Sequence, residues 1–360
     1  MKAATAIINR SALIHNYNTL KKLSPNSQLM AVVKANGYGH GALEIAKTLH
    51  FADYCGVARV DEALALRESG ITSPILLLEG FVSEYCLPLL IEHQLETVIH
   101  CQEQLDMLLA FKSEQLIKVW LKLDTGMHRL GIRMEEAENA FMQLSCSAIV
   151  EKPINLMTHF ACSDELDNPL TQNQINQFDT FSQTKAIGLS SLAASGGILF
   201  WPESRRDLNR AGIILYGVSP LTNKPAIDFD LKPVMQLESS LIAVRRHLKG
   251  ESVGYNATWT GDRDTTIGVV AIGYGDGYSR SLKNGTPVLV NGREVPLIGR
   301  VSMDMITVDL GPNATDKVGD TVILWGKALP IERIALQNGL SPYELMTQLT
   351  SRLKLEYIDE

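Results

Sequence analysis

Eight short apolar runs, separated for the most part by amphipathic stretches, fill the chain from residue 28 to residue 218, and no other feature restricts its fold so much. They cover residues 29–34, 54–58, 74–78, 96–99, 117–124, 154–160, 189–195 and 213–218. Short apolar runs bounded by turn residues suit strands buried on both faces, and stretches such as 62–68, 102–111 and 172–184 between them carry helical spacing. Repeated strand–helix units of this kind predict an α/β fold, an N-terminal (β/α)8 barrel of TIM type. A doubly wound sheet would show fewer strands before its topology changed. Residues 11–23 read as a helix ahead of the barrel, with Leu13, Tyr17 and Leu20 on one face.

After Tyr216-Gly217 the pattern changes. Residues 219–225 form a turn-rich linker, and strand-like stretches follow at 237–244, 265–272, 287–290, 295–298, 306–310 and 321–324. Asp276-Gly277 and Asn291-Gly292 punctuate them as turns, and a short helix is expected at 342–349. The second half is therefore a mainly antiparallel β domain. At 360 residues two domains are the natural division. The expected limits are 10–222 and 223–360, with residues 1–9 a candidate addition to the second.

Composition removes several function classes. The net charge is −7 with no basic block, which argues against nucleic acid and anionic membranes as partners. The first ten residues hold no apolar segment long enough for a secretion signal, and no run approaches a membrane span. A cytoplasmic protein is expected. The five cysteines, Cys55, Cys86, Cys101, Cys146 and Cys162, show no C-x-x-C pair and read as buried small hydrophobes in a reducing compartment. Eight histidines without zinc-type spacing argue against a metal site.

The first apolar run ends at Lys34, before Ala35-Asn36-Gly37-Tyr38-Gly39-His40-Gly41. Carboxyl ends of barrel strands line active sites. A partly buried lysine there has its ammonium form disfavoured, and the neutral amine suits a Schiff base with an aldehyde cofactor. The glycines let main-chain N–H groups approach an anion, with the positive end of the next helix behind them. The competing reading is a solvated rim lysine. A second competitor is dinucleotide binding, since residues 37–42 satisfy G-x-G-x-x-G/A and Asp61 stands roughly where a ribose-binding acid belongs.

Further motifs decide between these. They are residues 33–41, Lys122-Leu123-Asp124-Thr125-Gly126-Met127-His128-Arg129-Leu130-Gly131, Met157-Thr158-His159-Phe160, Arg210-Ala211-Gly212-Ile213, Val253-Gly254-Tyr255, Gly273-Tyr274-Gly275-Asp276-Gly277 and Met303-Asp304. In this order, across essentially the whole chain, they resemble the alanine racemase family of fold-type III pyridoxal-phosphate enzymes. The resemblance implies pyridoxal 5′-phosphate as cofactor, L- and D-alanine as substrates, and a homodimer whose subunits share active sites. It implies Lys34 and Tyr255 as the two catalytic bases, the tyrosine coming from the partner subunit. Two bases suit the reaction, because one base tends to return a proton to the face it left. A tyrosine acts as a base only where nearby positive charge stabilises the phenolate.

The resemblance further implies that Lys34, Tyr38, Ser195 and the amides of Gly212 and Ile213 bind the cofactor. Arg210, expected just ahead of the eighth strand, would donate to the pyridine nitrogen, and His159 would lie beside the ring in contact with Arg210. Arg129 and the main chain of Met303 would bind substrate. Tyr274, Arg280 and Asp304 are supporting residues, the first two lining the entrance or tuning Tyr255. Lys122, close to the Arg129 cation, is expected to be carbamylated. Two positions depart from the family pattern: Ala194 stands where many members carry asparagine, and Ser302 where some carry cysteine. A basic-amino-acid decarboxylase, a broad-specificity racemase, a barrel-only cofactor carrier and a nicotinamide dehydrogenase are the alternatives. The β domain argues against the carrier, the surroundings of Tyr255 and Met303 against the decarboxylase, the lack of a recognisable export signal against the broad-specificity racemase, and Lys34 with Arg210 against the dehydrogenase.

Overall fold

The computed structural model describes residues 4–221 and 224–360, so the limit expected between residues 222 and 223 lies outside the described part. Two compact units result. One comprises Tyr17–Gly37 and Ala42–Leu215; the other takes the described residues up to Asn16, Tyr38–Gly41 and everything described from Tyr216 onward.

The first unit is the barrel. Its parallel strands run in the order Leu208–Ala211, Gln28–Val32, Tyr54–Val57, Ile75–Leu77, Leu95–Ile99, Val119–Asp124, Asn155–Met157 and Ser190–Ser191. Ser191 Oγ donates to Leu208 O (2.6 Å) and Arg210 N donates to Ala193 O (3.0 Å), which brings the last strand against the first. Amphipathic helices follow most strands, among them Val60–Glu68, Gln102–Ala110, Met134–Cys146 and Leu170–Ser182.

One strand lies elsewhere than the sequence suggested. The eighth is Leu208–Ala211, and residues Ile213–Tyr216 form a buried 3-10 turn. Arg210 is thus inside the last strand, not ahead of it. The misplacement has a physical cause. Asn209 and Arg210 make the true strand polar, whereas the following turn is apolar because it is fully buried.

A polar cluster closes the amino-terminal end of the strands. Glu96 accepts from Trp120 Nε1 (2.7 Å) and from the Tyr54 hydroxyl (3.1 Å), and pairs with Lys118 at 3.1 Å. A buried carboxylate is tolerated only when its oxygens are bonded in this way.

The second unit holds the other sheet. Met235–His247, thirteen residues long, pairs antiparallel with Thr265–Val270, Thr321–Trp325 and Thr5–Asn9. Pro287–Val290, Arg293–Ile298 and Ile306–Gly311 complete an antiparallel ring, and Lys354–Ile358 adds to Thr5–Asn9 in parallel. Asn291 and Gly292, both at positive φ, make the hairpin turn expected of an Asn-Gly pair.

Of the five cysteines only Cys55 is buried; Cys86, Cys101 and Cys162 are half-buried and Cys146 is exposed, so the expectation of five core thiols is corrected. Among the described residues no helix is long and apolar enough to cross a membrane.

Trp120→Phe removes one of the donors to the buried Glu96 carboxylate. It should lower unfolding free energy by about 1–3 kcal/mol, the cost of a buried acceptor left unpaired. The shift in urea midpoint measures this, and a midpoint unchanged from the parent would show that Glu96 does not depend on the indole.

Candidate active site

In the barrel unit every candidate residue lies at or just beyond the carboxyl end of a strand, where barrel active sites form. Lys34 is half-buried two residues past Gln28–Val32. The chain then makes a left-handed turn, with Ala35, Asn36, Gly37 and Tyr38 at φ of 52°, 54°, 62° and 52°. For the non-glycine residues this conformation costs roughly 1–2 kcal/mol each. Surrounding bonds hold it. Glu62 Oε1 accepts from Ala35 N (2.7 Å), Gly37 N donates to Val33 O (2.8 Å), and Asn36 Oδ1 caps Ala42 N at the start of the next helix (3.1 Å). One N–H at that helix end is therefore already bonded within the chain.

Arg210 is the most tightly held cation. Nη1 donates to Ser191 O (3.0 Å) and Oγ (2.6 Å), and Nη2 to Thr158 O (2.8 Å), Leu192 O (3.2 Å) and His159 Nδ1 (3.2 Å). Burial lowers its pKa to about 10, which leaves it charged at neutral pH. His159 accepts from Arg210 through Nδ1, so its proton sits on Nε2. Burial, then the charges of Arg210, Lys122, Arg129 and Lys34, hold His159 well below the usual imidazole range, and the ring is neutral.

Lys122, buried on Val119–Asp124, feels the same surplus. Burial first, then Arg210, Arg129 and Lys34, push it down to about 8, with Glu79 the acid opposing them. Two residues on, Asp124 anchors the loop that carries Arg129. Burial works to raise its pKa. Bonds from His128 N (3.0 Å) and Nδ1 (3.0 Å), Gly126 N (3.2 Å) and Arg133 Nη1 (3.1 Å) outweigh that and hold it at about 2. Ser195 opens the helix Ser195–Phe200, and its Oγ accepts from Gly212 N at 3.2 Å. Ile213 begins a 3-10 turn, whose first N–H groups have no partner within the turn.

These residues fit pyridoxal phosphate by their donor chemistry. An amine suits its aldehyde, a serine hydroxyl beside two adjacent amides suits its phosphate, and a fixed guanidinium suits its ring nitrogen. Three cations, opposed by Glu79, act on Lys122, and a phosphate and a carboxylate would offset this positive charge.

The β unit presents a second group. Tyr255 opens the turn Tyr255–Ala257 after Gly254 (φ 72°), and its side chain is 66% exposed. It lines an open recess of about 280 Å³ together with Tyr274, Arg280 and Val301. Tyr274 N donates to Ser302 O (3.0 Å) and Gly275 N to Met303 O (2.8 Å), so these two loops are bound to one another. A Cβ on Gly273 would come within 2.3 Å of Ser302 O, which explains the glycine. Tyr38, buried, packs on Tyr216 with ring centroids 5.0 Å apart, and burial raises its pKa to about 12. Its hydroxyl thus keeps its proton and remains a donor.

Sequence reasoning missed three contributors. Arg352 pairs with Asp304 (2.9 Å) and with Asp276 (3.3 Å), tying the Met303 loop to the Tyr274 turn. Thr350 adds Oγ1 to Gly275 O (2.8 Å). Glu62 holds the turn after Lys34, and only its place as an acid in the first turn of a helix marked it. Nothing near Arg352 in the sequence signals a partner some fifty residues away.

Because Lys122 has a folded-state pKa near 8 against an ordinary 10.5, the unfolded chain binds more protons between these values. Stability of the cofactor-free protein should therefore rise with pH across that window, and the burial penalty should be complete below it. Lys122→Met should flatten this rise and increase the melting temperature at pH 7. Thermal unfolding in carbon-dioxide-free buffers checks both expectations, and an unaltered slope in the variant would remove Lys122 as the source.

The chain matches the family model for the alanine racemase N-terminal domain over residues 8–220 and that for the C-terminal domain over residues 234–357. It is 59% identical to the alanine racemase of Pectobacterium carotovorum over 359 residues, covering 100% of this chain and 99% of the relative. It is 58% identical to the biosynthetic alanine racemase of Salmonella typhimurium over 360 residues, covering 100% of both. Among solved structures, the biosynthetic alanine racemase of Pseudomonas aeruginosa superposes with a TM-score of 0.96 at 42% identity, covering 99% of this chain and 100% of that one. With both family domains matched in order and full-length relatives at this identity, the chain belongs to the alanine racemase family.

Proposed function

We propose that the chain interconverts L- and D-alanine with Lys34 and Tyr255 as bases on opposite faces of the substrate, in the cytoplasm, as a homodimer in which Tyr255 comes from the second copy. The observation that carries this reading is the set of cations, Lys34 among them, around Lys122 and His159, whose charge surplus calls for an anionic cofactor and an anionic substrate. Family membership supplies the reaction and supports alanine as substrate. Several relatives are named biosynthetic, which supports supply of D-alanine for peptidoglycan over breakdown of L-alanine.

Pyridoxal phosphate, when bound, withdraws electrons from the attached amino acid and acidifies its α-proton. Residues 10–222 would hold the cofactor: Lys34 at the aldehyde, Tyr38, Ser195, Gly212 and Ile213 at the phosphate, and Arg210 at the ring nitrogen. Arg210 stays protonated and donates, so it keeps that nitrogen unprotonated and restrains electron withdrawal. Neutral His159 orients Arg210 from the side. Lys34 takes the proton of D-alanine and Tyr255 that of L-alanine, each returning a proton for the opposite direction. Arg129 grips the substrate carboxylate as a fork, with the Met303 main chain beside it. Residues 223–360 bring Tyr255, while Tyr274 and Arg280 line its approach and Asp304 fixes the Met303 loop through Arg352. Lys122, with its neutral amine accessible near pH 8, would add carbon dioxide and lose one proton to solvent, and the resulting carbamate anion would orient Arg129. Ala194 and Ser302 touch neither base, so the assignment of the reaction does not depend on them.

Lys34→Ala and Tyr255→Phe should each reduce racemisation by roughly 10²–10⁴-fold, the range for loss of one acid–base group. In deuterated solvent Tyr255→Phe should impair α-proton exchange from L-alanine more than from D-alanine. Equal impairment from both enantiomers would overturn the assignment of faces. A panel of L- and D-amino acids run alongside should show alanine as the preferred substrate.

A further inference from the structure

We infer that His40 is a positioning residue for Tyr38, locking the left-handed backbone that presents the Tyr38 hydroxyl to the cofactor's phosphate. The inference rests on the reading of Tyr38 as a phosphate donor. His40 is completely buried, and its Nδ1 lies 2.9 Å from Tyr38 O. A carbonyl oxygen only accepts, so Nδ1 carries the proton and donates. The bond spans two residues and closes the chain immediately after Tyr38, whose φ of 52° is unfavourable for a tyrosine.

The surrounding contacts show why a histidine suits this place. The His40 ring packs on Tyr216 at 4.5 Å between centroids, and the Tyr38 ring packs on the same Tyr216 at 5.0 Å. Tyr343 lies 6.1 Å from Tyr38, so the phenol ring has aromatic neighbours beyond Tyr216. Backbone on either side of His40 is clasped. A Cβ on Gly39 would meet Met346 O at 2.2 Å and one on Gly41 would meet the Tyr357 hydroxyl at 2.0 Å. That hydroxyl donates to His40 O at 3.1 Å. His40 therefore joins the anchored loop to the Tyr38 carbonyl by a hydrogen bond and to Tyr216 by its ring. Strained backbone persists where surroundings over-determine it, and here His40 supplies the local polar constraint. A residue that merely filled the core would need the ring and not the donor.

The two requirements separate experimentally. His40→Phe keeps a ring and loses the donor; His40→Asn loses the ring and keeps an N–H near the place of Nδ1. The full-length chain is stripped of cofactor and titrated by absorbance with pyridoxal phosphate and with pyridoxal, which lacks the phosphate. His40→Phe should weaken pyridoxal phosphate binding by about five- to tenfold, the scale of one hydrogen bond, and leave pyridoxal binding unchanged. His40→Asn should recover most of that loss. Combined with Tyr38→Phe, His40→Phe should add little, since both act on one contact.

Equal weakening toward both ligands, or full additivity with Tyr38→Phe, would show a merely structural residue and overturn the inference. So would His40→Phe binding both ligands as the parent does while Tyr38→Phe loses phosphate selectivity; that result leaves the reading of Tyr38 intact. If Tyr38→Phe itself keeps the parent's preference for the phosphorylated ligand, the phosphate reading falls and the role of His40 falls with it.

Discussion

Positive charge gathered at one end of the barrel is the constraint from which most of the site follows. Lys34, Arg129 and Arg210 are close enough to Lys122 that each depresses its protonation, and Glu79 opposes them. Such a cluster is unfavourable in a folded protein unless an anion joins it. Its consequences are specific. His159 is driven neutral and becomes an acceptor for Arg210, and Arg210 is fixed by oxygens from Thr158, Ser191 and Leu192. The barrel thus keeps a permanent donor in place while leaving a field that favours carboxylate, phosphate and phenolate.

The backbone carries a matching cost. The turn after Lys34 is left-handed through residues that include alanine, asparagine and tyrosine, and its bonds come from Glu62, Val33 and Asn36. On the β unit, loops at 273–277 and 302–304 are similarly fixed by main-chain bonds and by Arg352 between two aspartates. The Tyr274 and Met303 segments are thus mounted on backbone that is well tied.

Much of this was legible in the sequence, for reasons that differ from residue to residue. Lys34 stood out because an apolar strand ends beside it, and the antiparallel domain because Asn-Gly and Asp-Gly turns punctuate it. The eighth strand was not legible, because a strand that carries an inward arginine reads as polar while the buried turn after it reads as apolar. The strands Thr5–Asn9 and Lys354–Ile358 were equally hard to see, since their pairing joins opposite ends of the chain. Left-handed residues without glycine leave no mark at all in composition. The expected roles of individual residues rest on the motif order, since hydrophobic spacing does not encode them.

The clasp around Gly39 and Gly41 bears on when this protein can become competent. Met346 and Tyr357, which close over that loop, lie more than three hundred residues downstream of it. Contacts of such sequence separation form late, because the intervening chain must already be ordered. During synthesis the barrel emerges first, and the loop around Tyr38, which packs on Tyr216, gains its Met346 and Tyr357 contacts only when those residues follow. A chain truncated before Met346 would therefore keep Lys34 and lack the packing that holds Gly39 and Gly41.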